Sequence, residues 1–280
     1  MQSCVVVIPV YKNITDPKEI ASLKQGLKIF GAHDIVFICP ESFDDQQLKE
    51  YLKLHSKLRF EKFSNQDFSS VKSYNSLLLD RRFYARFAAY KFMLIYQLDA
   101  YVFDDQLTHW CNRGFDYIGA PWFKDFNASG RENEFMLNAG NGGFSLRNIT
   151  KINNLLITIL TPHQTMALCK SLQKARCKPH NKLCFWIGFF TKALLMKHSF
   201  AELCGYITNK TACTNEDYFL AYIYPQIFHE FHVAKAEEAI AFSFECQPEK
   251  LYALNKNKLP FGCHAWSKYS PDFWKKFISL

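Results

Sequence analysis

Four short segments bring together residue types that can do chemistry. In Tyr96-Gln-Leu-Asp99-Ala-Tyr-Val-Phe103 an acid closes an apolar run. A carboxylate at a strand end points into a ligand crevice and can hold a divalent cation against a diphosphate. It can equally close a turn. The second segment is Asn138-Ala-Gly140-Asn-Gly142-Gly143-Phe-Ser145-Leu-Arg147. Its glycines imply tight turns or close approach of backbone to a ligand. It is neither a Walker loop nor GxGxxG. It reads as a backbone surface under a ligand, with Asn141 as a polar contact, or as a glycine-rich hairpin. The third is Thr214-Asn-Glu216-Asp217-Tyr218. Adjacent acids opening a helix can be dipole-favoured capping behind Thr214. They can also form a general base with a second acid that shifts its pKa or binds hydroxyls. The fourth is Leu259-Pro-Phe-Gly262-Cys-His264-Ala-Trp266. Here His264 is either structural or a ligand for a metal or a phosphate oxygen.

Positioning such residues needs a scaffold, and the first 120 residues alternate strand and helix signals. Cys4 to Val10 is a continuous apolar run, as in a strand buried on both faces. Asp16-Pro17 starts a helix whose stripe is Ile20, Leu23 and Leu27, with Gly31 as its stop. Further strands are expected at Asp34 to Pro40, Leu58 to Phe63 and Phe92 to Gln97, with helices at Asp44 to Leu54 and from about Phe68 to Tyr90. Alternation of this kind implies crossover units and a mainly parallel sheet, with ligands at its carboxyl edge. Lys124 to Gly140 reads as a loop. Helices are expected at Thr150 to Leu160, Gln164 to Lys174, from Thr214, at Ala234 to Phe242 and at Pro271 to Leu280. Leu183 to Met196 reads as a buried helix. No linker is evident, so residues 1–280 are expected to form one domain, with a nucleotide-binding half to about 123 and an acceptor-facing half from 124.

The chain of 280 residues is 49% hydrophobic, enough for a sizeable core. No export signal or spanning segment is read, which points to a cytoplasmic protein. Ten cysteines without a CxxC pair fit reduced, buried thiols. The net charge of +8 is unevenly placed: residues 135–201 contain no Asp or Glu but many Lys and Arg. This window is expected to face an anionic acceptor or the anionic inner membrane surface, or to be a solvated basic face. Without a recognised nucleic-acid motif, a nucleic-acid partner is not expected.

In this order the segments resemble the GT-A superfamily of glycosyltransferases, and more closely a domain-of-unknown-function family grouped with them. The resemblance rests on Val5–Tyr11, Gln97–Phe103, Tyr117–Trp122, Gly140–Arg147, Asn215–Tyr218 and Pro260–Trp266. It implies a GT-A-like α/β fold and transfer from a nucleotide-sugar donor to a glycan, lipid-linked or protein acceptor. It also implies that Pro9, Val10 and Tyr11 hold the nucleotide and that Gly142 and Gly143 lie under the donor sugar. By the same resemblance Asp217 or Glu216 is the base of an inverting reaction, and Asp99 and His264 hold a manganese or magnesium ion. The chain departs from the family's DxD element, because Tyr101 stands at the third place. Two other readings are a non-catalytic protein that binds nucleotide-sugars or glycans and a sugar nucleotidyltransferase. The nucleotidyltransferase usually has glycines after the first strand, which Tyr11-Lys12-Asn13 lacks.

Overall fold

The structure is a computed structural model, and it describes residues 4–123, 135–174, 179, 181–211 and 215–279. Strands β1 (Cys4–Pro9), β2 (Asp34–Pro40), β3 (Leu58–Phe63) and β4 (Phe92–Tyr96) coincide with the four expected strands to within a residue. They lie parallel in the order β3-β2-β1-β4. Four further strands precede the one that completes the sheet. β5 (Tyr101–Val102) belongs to a second, smaller sheet, and β6 (Tyr117–Ile118) to the main one. β7 (Pro121–Phe123) pairs with β8 (Phe135–Ala139) in a separate ribbon. β9 (Phe144–Asn148) inserts antiparallel between β4 and β6 and is the one reversed strand of the six. The small sheet is completed by β10 (Ser243–Phe244) and β11 (Gly262–Cys263). The architecture is the expected α/β one, a mixed, mainly parallel sheet flanked by helices.

Alternate residues of the central strands feed two cores. Val5, Val7, Val36, Ile38, Met93 and Ile95 face one side, and Val6, Ile8, Ile35, Phe37, Leu94 and Tyr96 the other. Burial on both faces explains why these strands read as unbroken apolar runs. Helix α1 (Pro17–Ile29) starts where Asp16 accepts from the Lys18 N–H at 2.9 Å and Pro17 needs no donor. It covers the second core through Leu23 and Leu27. Gly31 follows its end but not in a left-handed conformation, since Gly114 alone has positive φ among the described glycines. Helices α2 (Lys49–Leu54), α3 (Val71–Leu77), α4 (Arg81–Ala85) and α5 (Leu107–Cys111) are short. The first core is covered from the other half of the chain by α6 (Ile149–Leu156), α7 (Pro162–Lys174), α8 (Lys182–Phe190) and α9 (Phe200–Lys210).

Several expectations need correction. The helix expected over Leu183 to Met196 is α8 followed by a π-helical turn at Thr191–Leu195, and it is not buried all round. Phe185, Phe189 and Ala193 are buried, whereas Leu183, Ile187, Leu194, Leu195 and Met196 are exposed. The helix expected over Ala234 to Phe242 is only Ala236–Ala239. That expected from Pro271 shrinks to Pro271–Trp274, because Phe273 and Trp274 are drawn into a third apolar cluster with Trp266 and Phe244. Residues 124–134 and Thr214 lie outside the described residues, and with them the reading of a loop and of a Thr214 cap. The described cysteines are all free and mostly buried; Cys184 is exposed. Among the described residues no helix is long and apolar enough to cross a membrane.

Candidate functional site

The carboxyl ends of β1 and β4 open onto a cavity of about 480 Å³. Pro9, Tyr11 and Lys12 line it from the chain after β1, and Gln97 and Asp99 from the chain after β4. Ser70, Tyr74 and Asn75 at the start of α3 form the facing wall. This is the crevice a mainly parallel sheet offers at its carboxyl edge. Tyr11 is exposed at the mouth, and Lys12 is held by an ion pair to Glu19 at 3.0 Å. Val10 does not line the cavity, since its side chain is buried in the second core, and Asn141, Gly142, Gly143, Asp217 and His264 are not among the lining residues either.

The small sheet explains how residues far apart in sequence reach Asp99, which lines this cavity. β11 pairs parallel to β10 and antiparallel to β5. The residues flanking those strands, Asp99 before β5, Glu245 after β10 and His264 after β11, are therefore gathered at one end. His264 Nε2 lies 3.1 Å from Asp99 Oδ1, and Nδ1 lies 3.0 Å from Glu245 Oε1. Burial disfavours the charged imidazole, but hydrogen bonds and attraction to these two carboxylates outweigh it and raise its pKa to about 10. Burial works against ionisation of Asp99 too, and the facing His264 holds its carboxyl below the ordinary value. Glu245 was not legible as a site residue. Its signal is an acid set between Phe244 and Cys246, in a stretch otherwise buried and apolar.

The glycine segment is no hairpin. β8 before it pairs with β7, and β9 after it pairs with β4. Gly142 and Gly143 are needed for space. A Cβ on Gly143 would lie 2.1 Å from His264 Nε2, and one on Gly142 would lie 2.6 Å from Glu216 Oε1 and 3.1 Å from Asp217 Cβ. Consecutive residues thus carry His264 against one and the acid pair against the other. The loop is pinned from beneath: the Tyr117 hydroxyl donates to the Gly140 and Asn141 carbonyls, and Ser145 donates to the Gly142 carbonyl. Asn141 is not a free polar contact. Its Nδ2 donates to Glu245 at 2.8 Å and its Oδ1 accepts from the Gly143 N–H at 3.0 Å, which fastens the loop to the His264 support.

The two acids of the third segment divide their roles. Glu216 accepts from Arg147 at 2.8 Å in an ion pair with side-chain exposures of 7% and 0%. Arg147 also donates to the Gly142 carbonyl. Glu216 is therefore committed to holding the loop, and the expectation that it serves as a base is replaced by this anchoring role. Asp217 is partly accessible and accepts only the Tyr218 N–H among side-chain bonds described. Burial, with Glu216 charged alongside, holds its carboxyl well above the ordinary range.

Tyr101, at the third place of the acidic element, packs its ring against Phe103 and Trp266 and supplies no ligand. Asp105 pairs with His33, and Asp104 bonds Gln106, so neither substitutes for it. Among the described residues no group of three or more His, Cys, Asp or Glu is arranged to hold a metal ion. Asp99 Oδ1 and His264 Nε2 lie 3.1 Å apart as an ion pair, with Glu245 behind the ring, so His264 could ligate a cation only after giving up its Nε2 proton.

No curated protein matches the chain. Among solved structures it is similar to a glycosyltransferase involved in the glycosylation of the major capsid of PBCV-1, at 10% identity and a TM-score of 0.44, over 99% of this chain and 100% of that one. It is also similar to the mannosyltransferase Ktr4p from S. cerevisiae, at 16% identity and a TM-score of 0.34, over 44% of this chain and 40% of that one. TarS from S. aureus matches at 14% identity and a TM-score of 0.35, over 55% of this chain and 50% of that one. Likenesses at these levels carry no weight for activity. The segment that holds Asp99, the glycine pair, Asp217 and His264 is the one a family profile matches, residues 57–264, and the chain belongs to that family, described as protein of unknown function (DUF5672).

Proposed function

We propose that this protein transfers a sugar from a nucleotide-sugar donor to an acceptor hydroxyl. The observation that carries the reading is that Gly142 and Gly143 set Asp217 on one side and His264 on the other, and that His264 contacts Asp99 and Gln97, which line a cavity of about 480 Å³. In this reading the nucleotide enters between Pro9, Tyr11 and α3, and the donor sugar lies on the two glycines. Positive charge at His264, which contacts Asp99, and at Lys12, which lines the cavity, offsets charge developing on the departing diphosphate. A manganese or magnesium ion, held by Asp99 and His264, would supply the same neutralisation. Asp217 takes the acceptor proton. The acceptor oxygen forms its bond to the anomeric carbon as the carbon–oxygen bond to the diphosphate breaks, and that electron pair leaves with the phosphate. Attack from the face opposite the diphosphate inverts the anomeric centre. Glycans, lipid-linked saccharides and proteins are the acceptor classes in view.

A panel of nucleoside-diphosphate sugars, read for release of nucleoside diphosphate with and without acceptor, tests this. Turnover that disappears in Asp217→Asn, while the nucleotide still raises the melting temperature, supports transfer. Nucleotide binding without turnover in the wild type would leave the non-catalytic reading, which the missing second acid at Tyr101 favours. Absence of any nucleotide effect would overturn both.

A further inference from the structure

Helix α8 and the π turn that continues it are apolar on opposite sides. Phe185, Phe189 and Ala193 recur every four residues and enter the first core. The far side carries Leu183, Ile187 and Leu195, exposed by 71%, 59% and 79%. The wider π turn advances fewer degrees per residue and so brings Leu194 and Leu195 round to the side of Leu183 and Ile187. The neighbouring chain extends the patch. Phe200 donates its N–H to the Thr158 carbonyl, and Ile159 pairs with Ser199, so exposed Ile159 lies beside the segment that follows Met196. Of the eleven large apolar side chains exposed among the described residues, eight fall between Ile157 and Met196. A helix apolar all round with one side uncovered is a docking face.

Charge identifies what covers it. This face lies inside the acid-free window, residues 135–201. Lys182 opens the helix and Lys197 follows its end, both exposed, while Lys192 lies over the Tyr206 ring at 5.7 Å. The next acid, Glu202, is bonded to Ser199 at the start of α9. A second copy docked by two-fold symmetry would set lysines against lysines in an unneutralised interface. An anionic lipid surface meets both demands, with apolar side chains entering the acyl boundary and lysines at the headgroups. We propose that α8 and its π turn seat this protein on an anionic bilayer surface, with Leu183, Ile187 and Leu195 inserted and Lys182 and Lys197 at the phosphates. The proposal does not rest on the transfer reading, because it is tested without donor or acceptor.

Co-sedimentation of the full chain with phosphatidylcholine vesicles, with and without phosphatidylglycerol, tests it. The wild type is expected to bind the anionic vesicles at least about tenfold better than neutral ones, and less as salt rises. Leu183→Ser/Ile187→Ser/Leu195→Ser should lose about tenfold or more of that binding with an unchanged melting temperature, since all three side chains are already in water. Leu195→Ser alone should give a partial loss, so the test does not hang on one variant. Lys182→Gln/Lys197→Gln should remove much of the preference for the anionic lipid. Wild type that stays in solution, or a triple variant that binds as well as wild type, overturns the proposal. So does a concentration-dependent dimer abolished by the triple variant without any vesicle binding, which assigns the face to a second copy.

Discussion

Asp217 and Glu216 are neighbours, yet the structure predicts opposite phenotypes for their replacement. Asp217→Asn removes a proton acceptor and should lower turnover by about 10²–10⁴-fold with little change in nucleotide affinity. Its stability effect has a definite sign. Burial and Glu216 raise the folded-state pKa of Asp217 above its unfolded value. Its contribution is therefore fully present below the ordinary aspartate range and is lost as pH rises through the folded pKa. The stability of Asp217→Asn relative to wild type should accordingly increase from acid toward neutral pH, read from urea midpoints across that range. Glu216→Ala strands Arg147, which is wholly buried, and should cost about 3–5 kcal/mol whatever it does to activity. Equal loss of stability in both variants would contradict this division of labour.

At the scale of elements, the site depends on how closely the glycine loop passes the small sheet. Gly143→Ala places a methyl group 2.1 Å from His264 Nε2, so either the ring or the loop must move. The expected outcome is loss of nucleotide-dependent thermal stabilisation in a protein that remains folded. Glu245→Gln keeps an acceptor for His264 but removes a charge from behind the ring. It should lower turnover more than it lowers nucleotide affinity, because outer partners orient rather than bind. A Glu245→Gln enzyme with wild-type kinetics would show that the ring is placed by Asp99 and the glycine loop alone.

For the molecule as a whole, two cores on either face of one sheet tie the edge that opens onto the cavity to helices from the second half of the chain. Leu94→Ala, in the centre of that sheet, should cost about 2–5 kcal/mol with no specific effect on the site. Ligand that binds only the folded form adds stability by mass action, about 2.7 kcal/mol at a hundred times its dissociation constant. Nucleoside diphosphates should therefore raise the melting temperature. A further rise with manganese in the wild type, absent in Asp99→Asn, is the expected sign that Asp99 and His264 share a cation. The same manganese increment in Asp99→Asn would remove that role from Asp99.

Apolar runs at Cys4 to Val10, Asp34 to Pro40 and Phe92 to Gln97 determined three of the parallel strands, because a strand buried on both faces has no polar side to interrupt it, whereas Leu58 to Phe63 lies at the sheet edge and carries Arg59, Glu61 and Lys62. The alternation around them set the fold class, and the four chemical segments were visible as residue types in order. What the sequence could not contain was which of those residues meet. His264 reaches Asp99 only because β11 runs beside β5, and Glu245 joins them only because β10 runs beside β11. The β11–β5 pairing joins Gly262 to Val102 and Cys263 to Tyr101, and all three strands have two residues each, too short to leave any periodic signal. The same tertiary context separated Glu216 from Asp217, since Arg147 on β9 reaches only one of them. It also left one side of α8 uncovered: local periodicity reports how apolar a helix is, whereas burial depends on what the rest of the chain brings against it.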